Sequence, residues 1–206
     1  MGYDIYGLNP QKNTEASEIL TRFADENGWV EWEKMSDKDR KLHFKAREQY
    51  ERDNPGEYFR ANVWFWRPIW NFVCCFCDFL SEDDCDKGCS NSGEQISKTK
   101  ALKIASRLRK LDKSGFIQDW EDEMMIPFKK AKKHNEKVRL ELKEFQNEMS
   151  LKYGVGTPPK DYDKDDHKKW EEIYAKEDWT GSYPPSRKYI MQFASFCQES
   201  GGFEIC

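Results

Sequence analysis

The sequence predicts a mainly α protein, a compact helical domain with a short extended N-terminal segment and a charged helical insertion. Apolar and aromatic weight is concentrated in one stretch, Phe59 to Leu80 (FRANVWFWRPIWNFVCCFCDFL), while 35% of the 206 residues are charged, against about 25% in an ordinary domain. Two further stretches, after Ser97 and after Ser186, carry apolar residues three and four apart, the spacing of a helix with one buried face. An aromatic share of 15% lets so few segments supply a core, because each large ring buries about 150–250 Å².

Taken in order, Tyr3, Asp4, Ile5, Tyr6 and Leu8 precede the Asn9-Pro10 turn signal and form the extended segment. Ser36 caps a helix from Asp37 to Asp53, with Asp37 and Asp39 in the first turn, where the helix dipole favours negative charge. Its sparse apolar positions, Leu42, Phe44, Ala46 and Tyr50, place it on the surface, and Asn54-Pro55-Gly56 ends it. Pro68 suits a first helical turn, so the central helix is expected from Arg67 to Leu80. Ile69, Val73, Phe76 and Leu80 share one face of it, with Trp66, Trp70 and Cys77 alongside. Ser81 to Gln95 reads as a turn-rich acidic loop.

Ser97 opens the clearest amphipathic helix, with Ala101, Ile104, Ala105, Leu108 and Leu111 as its buried stripe and Gly115 at the left-handed position beyond its end. Pro127 is expected to start a long charged helix to Tyr153, supported by pairs such as Glu141 with Lys137. A linker from Gly154 and a short charged helix ending near Lys176 follow. The last helix, Ser186 to Ser200, buries Ile190, Phe193, Ala194 and Cys197, and Gly201-Gly202 stops it before the tail Phe203-Glu204-Ile205-Cys206. Residues 1–127 and 183–206 are thus assigned to the core domain and 128–182 to the insertion.

A formal net charge of −4 lacks the basic footprint of a duplex nucleic-acid binder. The N-terminus MGYDIYGLNP has no basic or apolar signal region, and Tyr6 stands where a myristoylation motif needs Ser or Thr, so a cytoplasmic protein is expected. Arg67, Pro68, Asn71 and Asp78 interrupt the apolar run, which argues against a membrane span. Seven cysteines without an export signal suggest thiols or a metal site rather than disulfides. No phosphate-binding glycine motif and no H-E-x-x-H occurs, and His43, His134 and His167 lie in charged segments and read as solvated. Enzymatic activity is therefore left unassigned.

Two constellations remain. Cys74, Cys77, Cys85 and Cys89 are candidates for the four soft ligands zinc requires, across an unusually short gap, but the preferred reading makes Cys74, Cys75 and Cys77 small buried hydrophobes and expects no metal. No other cofactor is expected. Glu82, Asp83, Asp84, Asp86 and Glu94 do not make a calcium loop, since Cys85 and Lys87 fall where oxygen ligands belong. The second constellation is Arg60, Asn62, Trp64, Trp66, Arg67, Trp70 and Asn71, with Lys98 and Lys100 at the start of the next helix. Guanidinium groups grip phosphate, indoles stack on bases and Asn reads polar edges, so the set suits a nucleotide-like anion. The alternative is that Trp66 and Trp70 are core and Arg67 is a structural lock, satisfied by an acid such as Asp4.

The blocks GYDIYGLNP, YFRANVWFWRPIW, ISKTKALKIASRL and SGGFEIC, spread along the whole chain, resemble a bacteriophage-associated family of uncharacterised proteins also found in some bacteria. The resemblance implies phage origin, residence in the host bacterial cytoplasm and no established activity. Cysteines at positions like Cys74, Cys75, Cys85 and Cys89 are not part of the family pattern. Some relatives carry a Cys-x-x-Cys-Gly-Gly insertion, but residues 128–182 here contain no cysteine, so a zinc role there does not carry over. The expected function is a phage-encoded small-molecule binding protein that sequesters a nucleotide-like anionic ligand, such as a bacterial immune signal. The alternatives are a host-takeover factor that binds a host bacterial protein around a structural Trp-rich core, and a nucleotide-acting enzyme; self-association is left open.

Overall fold

The computed structural model describes residues 2–26 and 28–206; Met1 and Asn27 lie outside the described residues. The chain is mainly α. Its helices are joined by one four-stranded antiparallel sheet in the order β2-β1-β4-β3, from β1 (Gly2–Gly7), β2 (Tyr58–Asn62), β3 (Glu94–Ser97) and β4 (Gly202–Ile205). The expected extended N-terminal segment is therefore an inner strand. Its outer neighbour β2 and the pair β4 and β3 come from segments expected to be something else, β4 from what reads locally as a tail.

Alternation along the strands gives the sheet two unlike faces. Tyr3, Ile5, Phe59, Ala61, Ile96, Phe203 and Ile205 are buried on one. On the other, register places Asp4 opposite Arg60, Tyr6 between Tyr58 and Glu204, and Gln95 opposite Glu204.

The short α1 (Glu18–Thr21) precedes α2 (Asp37–Asp53), where Ser36 Oγ accepts from the Asp39 amide at 3.2 Å, as the sequence leads one to expect. The central helix α3 (Val63–Phe76) starts four residues earlier than expected from Arg67, and ends before Leu80. Asn62, the last residue of β2, caps it by accepting from Phe65 N at 3.1 Å. Pro68 is thus interior, where the amide it lacks leaves one helical carbonyl without its usual partner. The acidic loop is also more ordered than expected, since it forms α4 (Glu82–Lys87) behind a reciprocal Ser81–Asp84 capping box.

Helices α5 (Lys98–Lys113) and α8 (Arg187–Glu199) follow the sequence pattern, capped by Ser97 and Ser186. Ala101, Ile104, Ala105, Leu108 and Leu111 are buried on the first, and Ile190, Phe193, Ala194, Phe196 and Cys197 on the second. Together with α3 they cover the apolar face of the sheet. Gly115, at φ 84°, takes the left-handed position after α5, and α6 (Phe116–Tyr153) begins at once. Pro127 consequently lies inside α6 instead of starting it.

The chain divides into two compact units, Met1–Ile117 with Ser186–Cys206, and Gln118–Pro185. In the second, Ala131, Asn135, Val138, Phe145 and Met149 form the buried stripe of α6. The returning chain, which contains α7 (Lys164–Tyr174), is tied to it by polar contacts. Asn135 exchanges two 2.8 Å hydrogen bonds with the Asp178 backbone, and Lys152 Nζ lies 2.7 Å from both Asp163 and Asp166. Glu141 pairs with Lys176 at 2.5 Å, across the unit, where a pair with Lys137 was expected along the helix.

His43 also departs from expectation, being 2% exposed with the edge of its ring packed against Trp32 at 5.1 Å. Its Nδ1 has no hydrogen-bond partner. Burial, aided by the Arg47 charge, lowers its pKa below 6.5, so the unfolded chain binds the extra proton more readily than the fold. Stability should therefore drop as pH falls from 7.5 to 5.5 by more in the native protein than in a His43→Gln variant. Parallel melting curves of the two across that range would show that His43 is not the sensor.

Candidate functional site

The Trp-rich segment is built from β2 running straight into α3, and its two central indoles are structural. Trp66 and Trp70 are 0% and 2% exposed and stack at 5.3 Å with planes 16° apart. Tyr3 stacks on Trp66 at 5.5 Å, and Phe193 meets it edge-on at 5.4 Å. The Trp66 indole donates to Gly88 O and the Trp70 indole to Cys85 O, each at 2.7 Å. Two residues expected to line a ligand site are thereby enclosed by protein, their only donors already used. Gly88 is required there for space, since a Cβ on it would stand 2.0 Å from Trp70 Nε1.

Lys100, expected to attract an anion, instead holds the buried carboxylate of Asp84, with Nζ 2.6 and 2.7 Å from its two oxygens. The Ser81 amide and hydroxyl each donate to Asp84 Oδ2 at 2.9 Å. Burial opposes the charge on Asp84, but these donors outweigh it and hold the carboxyl at about 2. Arg60 is exposed, its Nε 3.6 Å from Asp4 Oδ1, an oxygen that also accepts a short hydrogen bond from Tyr58. Asn62 spends its side-chain oxygen on the α3 cap. Trp64, Arg67 and Asn71 are exposed on one face of α3 by their spacing, and Lys98 is exposed at the start of α5. The nine expected ligand residues therefore split into four with structural roles, Trp66, Trp70, Lys100 and Asn62, and five displayed on open surface.

The cysteines do not assemble as expected for zinc. Among the described residues no three His, Cys, Asp or Glu side chains converge to hold a metal ion. Cys77 and Cys197 are buried, Cys74 and Cys85 half-buried, and Cys75 and Cys89 exposed. Burial pushes the Cys77 thiol up to about 12, against the opposing pull of Arg107. Burial and then the neighbouring Cys85 thiol push Cys74 up as well.

A concave site occurs elsewhere in the first unit. A cleft of about 390 Å³ is lined by Tyr6, Arg47, Tyr50, Glu51, Glu57 and Tyr58, between the polar face of the sheet and the end of α2. Asn54 closes its floor, with Oδ1 accepting from the amides of Asn13 and Thr14 and Nδ2 donating to Thr14 Oγ1 and Tyr50 O. Tyr50 donates to Glu57 at 2.9 Å, and burial followed by that hydrogen bond raises it to about 12. Burial followed by the Asp4 bond raises Tyr58 too, so both phenols remain neutral donors to carboxylates. Arg47 Nε lies 2.7 Å from Glu51.

Sequence reasoning missed this cleft because its members come from three elements. The available signal was the spacing of Arg47, Tyr50, Glu51 and Asn54 on one face of α2. No family model, curated protein or solved structure matches the chain.

Replacing Gly88 by Ala should destabilise the fold by about 2–3 kcal/mol, through displacement of Trp70; chemical denaturation with an unchanged midpoint would show that the loop yields freely. Lys100→Met should cost about 2 kcal/mol at neutral pH. The Asp84 contribution is complete above pH 3.8 and fades as pH falls towards 2. In Lys100→Met burial raises the folded-state carboxyl back towards its unfolded value, so that acid-side loss should shrink, which urea titrations between pH 2 and 6 would reveal.

Proposed function

We propose that the chain is a protein–protein interaction factor, of phage origin as the sequence resemblance implies, that engages a host bacterial protein through the unit Gln118–Pro185 while the Trp-rich helix serves the fold. The observation that carries this reading is an aromatic ladder on that unit. Trp170 stacks on Tyr174 at 5.0 Å and 9°, and Tyr174 meets Trp179 edge-on at 6.0 Å. Tyr174 and Trp179 remain 38% and 47% exposed. Contiguous exposed aromatics are the composition of interface centres, and the surrounding charges fit a polar rim. No described helix is long and apolar enough to cross a membrane, so these rings have no place in a membrane span.

A second reading, sequestration of a nucleotide-like anion, is supported by Trp64, Arg67 and Asn71, exposed on one face of α3, and by Arg60, exposed on β2. Two guanidinium groups and one indole suit phosphate and base respectively. The open surface there weakens it, because small-molecule sites are concave.

Trp179→Ala combined with Tyr174→Ser should lower capture of the host partner by at least about ten-fold, the effect of losing an interface centre, with little change in melting temperature. Equal capture by the double variant and the native protein from host lysate would refute the interface. A melting temperature raised by cyclic nucleotides or ADP-ribose derivatives, and not in Arg67→Ala, would instead support the second reading.

A further inference from the structure

We propose that the cleft between the polar face of the sheet and α2 is a binding site for a small alkylated ammonium cation, held between the rings of Tyr6, Tyr50 and Tyr58 and the carboxylates of Glu51 and Glu57. This site belongs to the first unit and stands independently of the interface on the second. Its volume, about 390 Å³, falls in the range of small-molecule pockets, roughly 300–1,000 Å³.

The polarity of the lining selects the ligand class. The Tyr50 and Tyr58 hydroxyls donate to Glu57 and Asp4, so neither has a proton left for a ligand and each lining residue offers only its ring and its oxygen lone pairs. Both are electron-rich and favour a cation. Tyr6 and Tyr58 lie opposite each other in the sheet with ring centroids 5.2 Å apart and planes inclined at 34°, so the two rings pack together as one wall of the cleft. Tyr6 is 48% exposed and marks the mouth. Glu204 pairs with Tyr6 across the strands and keeps a further carboxylate on the same face of the sheet.

The cations present do not reverse this balance. Arg47, the only basic residue in the lining, has its Nε bonded to Glu51. Lys12 stands 3.8 Å from Glu57 and Arg60 3.6 Å from Asp4, both on exposed side chains that a ligand can displace into water. An anion would meet two carboxylates at close range. A neutral apolar ligand would gain the ring contacts but nothing from the two carboxylates. Alkyl groups on the nitrogen fit because methylene and methyl surface packs against the three aromatic rings.

Calorimetric titration of the full chain with choline, its neutral isostere 3,3-dimethylbutan-1-ol and AMP tests the proposal. Choline should bind saturably and at least ten-fold more tightly than the isostere, with AMP weakest. Tyr6→Ala and Glu57→Gln should each weaken choline binding by at least five-fold. The proposal is overturned by equal affinity for choline and the isostere, by preference for AMP, or by choline binding indifferent to Tyr6→Ala. The absence of saturable choline binding up to about 10 mM, well above the millimolar affinities of weak sites, overturns it equally.

Discussion

Two buried indole N–H groups organise the first unit. An indole carries a single donor, and burying it without an acceptor costs about 1–3 kcal/mol, so Trp66 and Trp70 can occupy the core only if carbonyls are brought to them. The end of α4 supplies both, through Cys85 O and Gly88 O. That requirement fixes α4 against α3, demands glycine at position 88 and delivers Asp84 to a buried position where it needs a cation. Lys100, on the first turn of α5, meets that need. Helices α3, α4 and α5 are thus linked by polar groups whose burial none of them could satisfy alone.

This arrangement redistributes the functional possibilities. The residues that look most like a ligand pocket along the chain are those the fold needs, and aromatic surface is left where charge dominates the sequence. Trp170, Tyr174 and Trp179 are spaced through a segment that is polar on average, yet their rings touch in sequence from one to the next. Tyr6, Tyr50 and Tyr58 are likewise ordinary residues of a strand, a helix and a second strand until sheet register and the α2 packing gather them around one cleft.

Elements whose signals are local were legible. Ser36, Ser97 and Ser186 cap the helices their spacing implies, and the stripes on α5 and α8 are buried residue for residue. Boundaries failed where one local rule outbid another. Pro68 and Pro127 both suit a helix start, but the Asn62 cap and the left-handed Gly115 begin α3 and α6 upstream of them. In α6 Pro127 is carried by a 38-residue helix that continues well beyond it. The Ser81–Asp84 box was a readable cap masked by the acidity of the segment, and His43 appeared solvated because its segment is charged, while the ring that covers it, Trp32, comes from outside the helix.

The sequence by itself determined the mainly helical class, the buried faces of α5 and α8, the surface position of α2 and the concentration of the core around residues 59–80. Those properties follow from periodicity and capping, which act over one or two turns. Tertiary structure alone decided that Phe203-Glu204-Ile205 is a strand beside β1, that Trp66 and Trp70 are closed off by α4, and that Lys100 neutralises Asp84. Each of these depends on partners up to two hundred residues apart, whose pairing is set by burial and hydrogen-bond satisfaction across the whole unit and leaves no trace in local spacing.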